Sequence, residues 1–446
     1  MAARLAACFK SLRSSYNAEG AVSRWVCSQP VRGFMGTATG KGVLEKATSY
    51  DVIVLGGCGA YGSAAAYHLA AAGAKVLAID MHAPGHPWGS SHGGTRIIRL
   101  AYFEGPEYVT LVRRSLNMVL DLQADTGKDL FAQTGVLDIG ATYQGARAAA
   151  AAFGLECEEL CGAEINRRFP GYGVPEDMPV LYQKEGGLLC PEAIIQVHCD
   201  LAVRHGAVLH RGRVTSWRSL GHGPASGVEV MTNTGESFTA GQLIISAGAW
   251  INQLVPQAKM LCVPERQVVA WFQVPDDMFN KESFPVFIAG ERLDGPCYYG
   301  FPKHGKPCGL KIGCTHQFEP GRQKSAADPD VLGRDLQPED EMWLRHGLKT
   351  FFPAAASSQL LAHSVCMYTN TPDGHFIIDR HPVHQQVLLV SACSGHGFKM
   401  SPRVGSLLSD MVQNGARGTD EARDELRPFW LNVERPGHHK FLQAFR

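Results

Sequence analysis

Net charge is absent from this 446-residue sequence, whose 42 basic and 42 acidic side chains cancel. That removes the electrostatic case for nucleic acid or another polyanion as partner. Long apolar runs are missing as well: no stretch of about 18 hydrophobic residues occurs, so no membrane-spanning helix is expected. Paired cysteines are lacking. The thirteen present are odd in number, irregularly spaced and free of any C-x-x-C unit, which argues against a disulfide scaffold and for a reducing compartment. No metal-ligand spacing stands out, and no metal is expected. The remainder, 45% hydrophobic and 19% charged, is the composition of a globular chain long enough for two or three domains.

Acidic residues are also scarce at the N-terminus. Over residues 1–48, Arg4, Lys10, Arg13, Arg24, Arg32, Lys41 and Lys46 face only Glu19 and Glu45, with many Ser and Ala between. This reads as an organelle transit-like segment, with a disordered tail of no address as the alternative. A mitochondrion is favoured, and a plastid or peroxisome stays open. The final "LQAFR" is not a Ser-Lys-Leu type peroxisomal signal.

From Tyr50 the pattern changes to "YDVIVLGGCGAYGSAAAYHLAAAGAKVLAIDMH". Val52 to Leu55 is a continuous apolar run of the kind found in a parallel strand buried on both faces. Gly57, Gly59 and Gly62 follow as G-x-G-x-x-G, then an Ala-rich helix to about Ala72 and a second apolar strand ending in Asp80. Glycines permit the turn and close backbone approach, the helix start suits a pyrophosphate, and the acid suits a ribose hydroxyl. A dinucleotide site is expected. Asp80 argues against a 2′-phosphate but does not separate FAD from NAD. Farther on, "AVLHRGRVTSW" and "GQLIISAGAW" read as strands returning to the same sheet, with Val214 either an adenine contact or a core residue.

Three segments carry unusual polar residues. "GSSHGGTRIIRLAYFEG", Gly89 to Gly105, sets His92, Thr95, Arg96 and Arg99 among glycines. The two arginines suit capture of a carboxylate, or they are a solvated surface pair. In "CYYGFPKHGKPCGLKIGCTH", Cys297 to His316, Lys311 stands between Leu310 and Ile312; it faces inward toward an anion, water or cofactor, or outward to solvent. "VLLVSACSGHGFKMSPRVGSLLSDM" reads as strand, glycine turn and amphipathic helix. Gly395 to Lys399 lie at the helix start, where N–H groups favour negative charge. Cys366, in "SVCMYTNTPDGHFIIDRHP", is from its own surroundings a structural thiol, a nucleophile, a ligand or an attachment point.

Taken together and in this order, "SSHGGTRIIR", "YYGFP", "GLKIG", "CMYTNTPDGHFIID" and "SGHGFK" resemble the monomeric sarcosine oxidase family, which includes pipecolate oxidase and N-methyltryptophan oxidase. The resemblance spans residues 49–435. It implies an FAD-dependent monomer that oxidises the secondary amine of a small amino acid and passes electrons to O2, giving hydrogen peroxide. A related dehydrogenase with a protein or quinone acceptor is the alternative; a flavin-binding module without turnover is a third. By the same resemblance Cys366 bonds covalently to the flavin, Arg99 and Lys399 clamp the substrate carboxylate, and Lys311 promotes oxygen reduction. Thr95 and Arg96 lie along the flavin, Tyr368 and Tyr298 line the substrate cavity, and Gly397 and Phe398 present amides to the flavin pyrimidine edge. His92 and His396 sit within the matching motifs. His316 is offset by one residue from a family histidine. The implied fold is α/β, a doubly wound FAD-binding domain (49–131, 187–261 and 366–440) interleaved with an antiparallel-sheet substrate domain (132–186 and 262–365).

Overall fold

The residues described in the computed structural model are 49–223, 225–292, 294–315 and 326–444. The transit-like segment and His316 lie outside them. Strand Ser49–Leu55 runs between two parallel neighbours, Val76–Asp80 and Ser237–Ile245. Val52, Ile53 and Val54 are at most 1% exposed, because both faces of this sheet are covered, as its unbroken apolar run requires. Val208–Arg211 extends the parallel sheet on one side, and Val387–Ser391 joins the second half of Ser237–Ile245 on the other. The first half of that long strand pairs antiparallel with Val228–Thr232, which carries Val214–Ser219 at its edge.

The turn leaving the first strand begins one residue before the motif glycines. Gly56 has φ +75°, and a Cβ there would lie 2.4 Å from the Ser246 carbonyl oxygen. A Cβ on Gly62 would lie 2.1 Å from the Gly56 carbonyl oxygen. Strand end, turn and helix start therefore meet at distances that only glycine permits. Helix Ala60–Ala71 follows, with Ala64, Ala65, Ala66 and Leu69 fully buried. Its small side chains let it pack against helix Ser401–Gln413, where a Cβ on Gly405 would approach the Ala64 Cβ to 2.4 Å.

The second sheet has the order Leu360–Asn370, Val263–Phe272, Leu310–Thr315, Cys297–Phe301, Val286–Gly290, Val136–Gly140, Pro179–Gln183, Glu158–Cys161. Its pairings are antiparallel except that of Val286–Gly290 with Val136–Gly140. One face packs on helix Pro338–Phe351 through Phe272, Phe287, Tyr298, Leu348 and Phe351. The other carries Tyr299, Lys311, Cys366 and Tyr368. Strand Leu360–Asn370 runs through the border expected at residue 366, and Cys366 pairs with Gln267 inside this sheet. A small sheet of Phe131–Ala132, Gly187–Leu189 and Arg96–Ile98 joins the two layers.

Two histidines, the buried His198 and the half-buried His68, lie where helix Ala60–Ala71 meets helix Pro191–Arg204. His198 is 1% exposed, stacks on Tyr67 at 5.9 Å between ring centroids, and has no partner on either ring nitrogen among the described residues. Burial pushes its pKa down to about 3, and burial with the nearby Arg403 charge pushes His68 down to about 4. Both stay neutral in the folded chain and take up protons near pH 6.5 once unfolded. Stability contributed by the pair is therefore present above pH 6.5 and lost as pH falls, at up to about 2.7 kcal/mol per pH unit for two protons. Urea unfolding followed from pH 7 to pH 4 should show that loss, and His198→Leu should remove about half of this slope.

Candidate active site

The segment after Asp80 is shaped by a double glycine turn. Gly93 and Gly94 have φ of +101° and +79°, and both amides donate to Glu192, at 2.7 and 3.0 Å. This aims the Gly93 and Thr95 carbonyls inward. Ile97 and Ile98 are buried in the small sheet, which carries Arg96 and Arg99 into the interior at either end.

Arg99 is 1% exposed. It donates from Nη1 to the Ala101 carbonyl at 3.1 Å and from Nη2 to the Glu104 carboxylate. Its guanidinium lies 4.2 Å from the ring centres of Tyr102 and of Phe103, and Nε–H has no partner among the described residues. Burial opposes its charge, but Glu104 and then Asp138 outweigh burial and hold the pKa above its usual value. Burial likewise opposes the charge of Glu104, yet Arg99, His396 and Lys399 keep that carboxyl below the ordinary range. Lys399 donates to the Tyr102 hydroxyl at 3.2 Å and to the His396 carbonyl at 2.8 Å. Burial, then the Arg99 charge, pushes its pKa down to about 7. The two cations therefore flank Tyr102, at 4.2 and 5.2 Å from its ring centre.

Lys311 faces inward, 2% exposed. Its Nζ donates to the Gly93 carbonyl at 2.6 Å, the Thr95 hydroxyl at 3.0 Å and the Thr95 carbonyl at 3.3 Å. Its cross-strand partners Trp271 and Phe301 present their rings at 5.2 and 4.7 Å. Burial, then Arg96, lowers its pKa well below the normal lysine value. The oxygens and ring faces partly offset that loss, and an anion developing beside this nitrogen would favour its protonated form. Arg96 donates to the Thr95 and Ser90 carbonyls at 2.7 and 2.6 Å. His92 meets the Ser364 hydroxyl through Nδ1 at 3.2 Å, and its pKa is pushed down to about 3 by burial and then Arg96.

One cavity connects these groups to the dinucleotide turn. Its wall includes Gly59, Asp80, His92, Thr95, Arg96, Arg99, Val214, Lys311, Cys366, Tyr368, Gly397, Phe398 and Lys399. The Asp80 carboxylate is fixed by the Cys58 amide at 2.9 Å and the His82 amide at 3.0 Å. Gly57 and Gly62 stand behind this wall as packing residues, Gly57 with its ideal Cβ position 2.7 Å from Ala78 Cβ.

Two expectations need correction. Tyr298 points away from the cavity, into the core under helix Pro338–Phe351, with its hydroxyl 2.8 Å from His346 Nδ1. Tyr299 takes the cavity position, its hydroxyl accepting from Tyr368 at 3.2 Å. Strand alternation explains the exchange: Phe301 is opposite Lys311, and Tyr299 shares the face of Phe301. The Gly397 amide is already bonded to the Cys393 carbonyl at 2.9 Å, so it is committed within the turn. A Cβ on Gly397 would lie 1.7 Å from the Ala392 carbonyl oxygen; its glycine serves close packing. Three further residues of the site carry no mark in the sequence. Glu104 pairs with Arg99, and Tyr61 donates to the Gly397 carbonyl at 2.6 Å. Asp138, opposite Ile288 on the cavity-facing side of the sheet, is 1% exposed and raised to about 7 by burial against the pull of Arg99. For Tyr299, by contrast, the parity of the Lys311 strand carries a signal.

Residues 51–411 match the FAD dependent oxidoreductase (DAO) family. The chain belongs to that family. It is 41% identical over 379 residues to a monomeric sarcosine oxidase of Bacillus sp., covering 82% of this chain and 93% of that one. It is 35% identical over 394 residues to an N-methyl-L-tryptophan oxidase of Citrobacter koseri, covering 86% and 98%. The open form of NikD, an unusual amino acid oxidase essential for nikkomycin biosynthesis, in a Tyr258Phe mutant, superposes with a TM-score of 0.71 at 22% identity, covering 84% and 96%, which shows the shared fold.

The residues of this DAO-family chain fit FAD. The glycine turn leaves no room for side chains beside the strand end, and Asp80 is fixed next to it. Farther along the wall, the buried His92 Nε2 and Thr369 Oγ1 have no partner among the described residues, as expected of groups that meet a polar ligand. With the Lys399 pKa pushed down to about 7 by burial and the Arg99 charge, affinity for a carboxylate ligand lacking nitrogen should weaken above that pH. The loss should approach about tenfold per pH unit, read as perturbation of the bound flavin spectrum, and Lys399→Gln should flatten it.

Proposed function

We propose that the cavity binds a small amino acid with a secondary amine, such as sarcosine, L-pipecolate or an N-methyl amino acid, by its carboxylate between Arg99 and Lys399. The observation that carries this reading is the buried pair of cations on either side of Tyr102. Both are more than nine-tenths buried, and Arg99 Nε–H has no partner among the described residues. The protein is an FAD-dependent amine oxidase of the sarcosine and N-methyltryptophan oxidase kind, so bound FAD supplies the hydride acceptor and returns electrons to dioxygen as peroxide.

The chain's own residues supply aim and field. A carboxylate held by Arg99 and Lys399 fixes the adjoining N–C–H group and turns an encounter into an intramolecular step. The same cations and the dry walls disfavour an ammonium, so the amine is shifted toward the neutral form that can release hydride. Tyr299 and Tyr368, joined through their hydroxyls, close the side of the cavity next to Cys366. Lys311 stabilises the negative charge that develops on oxygen. Cys366 is 7% exposed; burial raises its thiol pKa, and Arg96, Lys311 and Arg334 pull it down. We read it as the site of covalent attachment of the flavin, and residues 1–48 as an organelle address.

Substrate consumed under air should yield equimolar peroxide without an added acceptor. Arg99→Met should raise KM for the amino acid and lower flavin reduction together, whereas Lys311→Met should leave anaerobic reduction intact and slow reoxidation by about 10²–10³-fold. Acid-precipitated wild type should keep its yellow colour, and Cys366→Ser should lose it to the supernatant.

A further inference from the structure

The cofactor cavity is crossed on the outside by the segment 326–335, and its side chains reach both ends of the cavity. At the end of the cavity lined by Val214, Asp330 accepts from Arg213 Nη1 and Nη2 at 3.1 and 2.6 Å, from Trp250 Nε1 at 2.8 Å and from Gln253 Nε2 at 2.9 Å. Arg213, Trp250 and Gln253 all line the cavity beside Val214. At the other end Arg334 donates from Nη1 to the Val365 carbonyl at 2.7 Å and the Pro87 carbonyl at 3.0 Å, and from Nη2 to the Trp88 carbonyl at 2.8 Å. Its guanidinium lies 5.3 Å from the Trp88 ring centre. Val365 is the residue next to Cys366.

The backbone around Arg334 is itself held in place. Arg266 donates to the Gly333 carbonyl at 3.3 Å and the Asp335 carbonyl at 2.7 Å, and His363 Nε2 lies 3.3 Å from the Arg334 carbonyl. Arg266 and His363 come from the two strands that pair around Cys366. A long flexible side chain is thereby fixed at both its root and its fork, although Arg334 lies outside the cavity wall. Three carbonyls accept from Arg334, and no carboxylate among the described residues pairs with it, so its charge is not neutralised locally.

We propose that Arg334 is a positioning residue for attachment of the cofactor to Cys366: it locks Val365 beside the thiol and projects an uncompensated positive charge onto the sulfur. The inference rests on Cys366 being the attachment site. In the attachment step a bond forms between Cys366 sulfur and the flavin's ring methyl carbon. The thiol proton and one methyl hydrogen end on the ring system, which accepts two electrons; dioxygen, the enzyme's own oxidant, then removes them as peroxide. The nucleophile is the thiolate. The groups facing Cys366 are the cations Arg96, Lys311 and Arg334, the thiol of Cys393, and the phenols of Tyr299 and Tyr368. Arg96 and Lys311 are part of the cavity itself. Of these three cations, Arg334 is the one outside the cavity wall.

The test uses full-length protein produced under riboflavin starvation and then given FAD under air. Flavin that remains with acid-precipitated polypeptide is followed over time at several pH values. Fluorescence quenching of added FAD reports non-covalent binding and an intact fold. Arg334→Gln should bind FAD but attach it about tenfold more slowly at pH 7, with its rate–pH curve displaced upward by about one pH unit. Arg334→Lys, which keeps the charge, should stay near the wild-type curve. Attachment by Arg334→Gln at the wild-type rate and pH profile would overturn the proposal. So would equal slowing in both variants without a pH displacement, since that marks a structural role alone. Wild type that surrenders all its flavin to acid would instead refute attachment at Cys366, and the role of Arg334 with it.

Discussion

Burying positive charge is the constraint around which the active-site half of this molecule is organised. Arg99, Lys311 and Lys399 are 1%, 2% and 6% exposed, and each must find replacement for lost water. The three solutions differ. Arg99 receives a carboxylate and two aromatic faces, which keep it charged. Lys311 receives three oxygens from one loop and two rings from its neighbouring strands. Lys399 receives a phenol, a carbonyl and the nearby Glu104 charge, and burial weakens its charge as it does that of Lys311. The glycine turn at Gly93–Gly94 and the acid that grips it, Glu192, make sense in this light: together they hold out the oxygens that Lys311 needs.

This arrangement explains which parts of the site are legible in the amino-acid sequence. The dinucleotide turn is legible because each of its demands falls on local sequence: a buried strand, glycines where atoms crowd, a helix of small residues, an acid at the next strand's end. Arg99, Lys311 and Lys399 are recognisable as chemical types, and their inward direction follows from the family resemblance rather than from spacing. What the sequence hides is also physical. Choosing between Tyr298 and Tyr299 requires knowing which face of a strand meets the cavity, a property of the neighbouring Lys311 strand. Counting the Gly397 amide as available overlooks that a tight turn consumes its own donors. Glu104 becomes a partner of Arg99 only through the turn that returns the chain past Tyr102 and Phe103.

The division of labour between the layers follows from the same geometry. The parallel sheet and its helices form the dinucleotide turn, while the antiparallel sheet supplies Lys311, Tyr299, Tyr368 and Cys366 from one face. Strand Leu360–Asn370 belongs wholly to that second sheet. Its Ser364, Cys366 and Tyr368 alternate with core-facing Val365 and Met367, so the thiol is seated on a rigid element.

The Cys297–Phe301 strand has one further consequence, for how such a sequence can change over time. Its two tyrosines are chemically alike and do unrelated work: Tyr298 is bonded to His346 in the core, and Tyr299 meets Tyr368 in the cavity. Exchange of either for another aromatic alters one face and spares the other. Gain or loss of a single residue trades the two faces at once. Tyr298 would then enter the cavity, and Phe301 would leave Lys311. Drift in this strand is therefore free to edit letters and barred from shifting the reading frame of its faces.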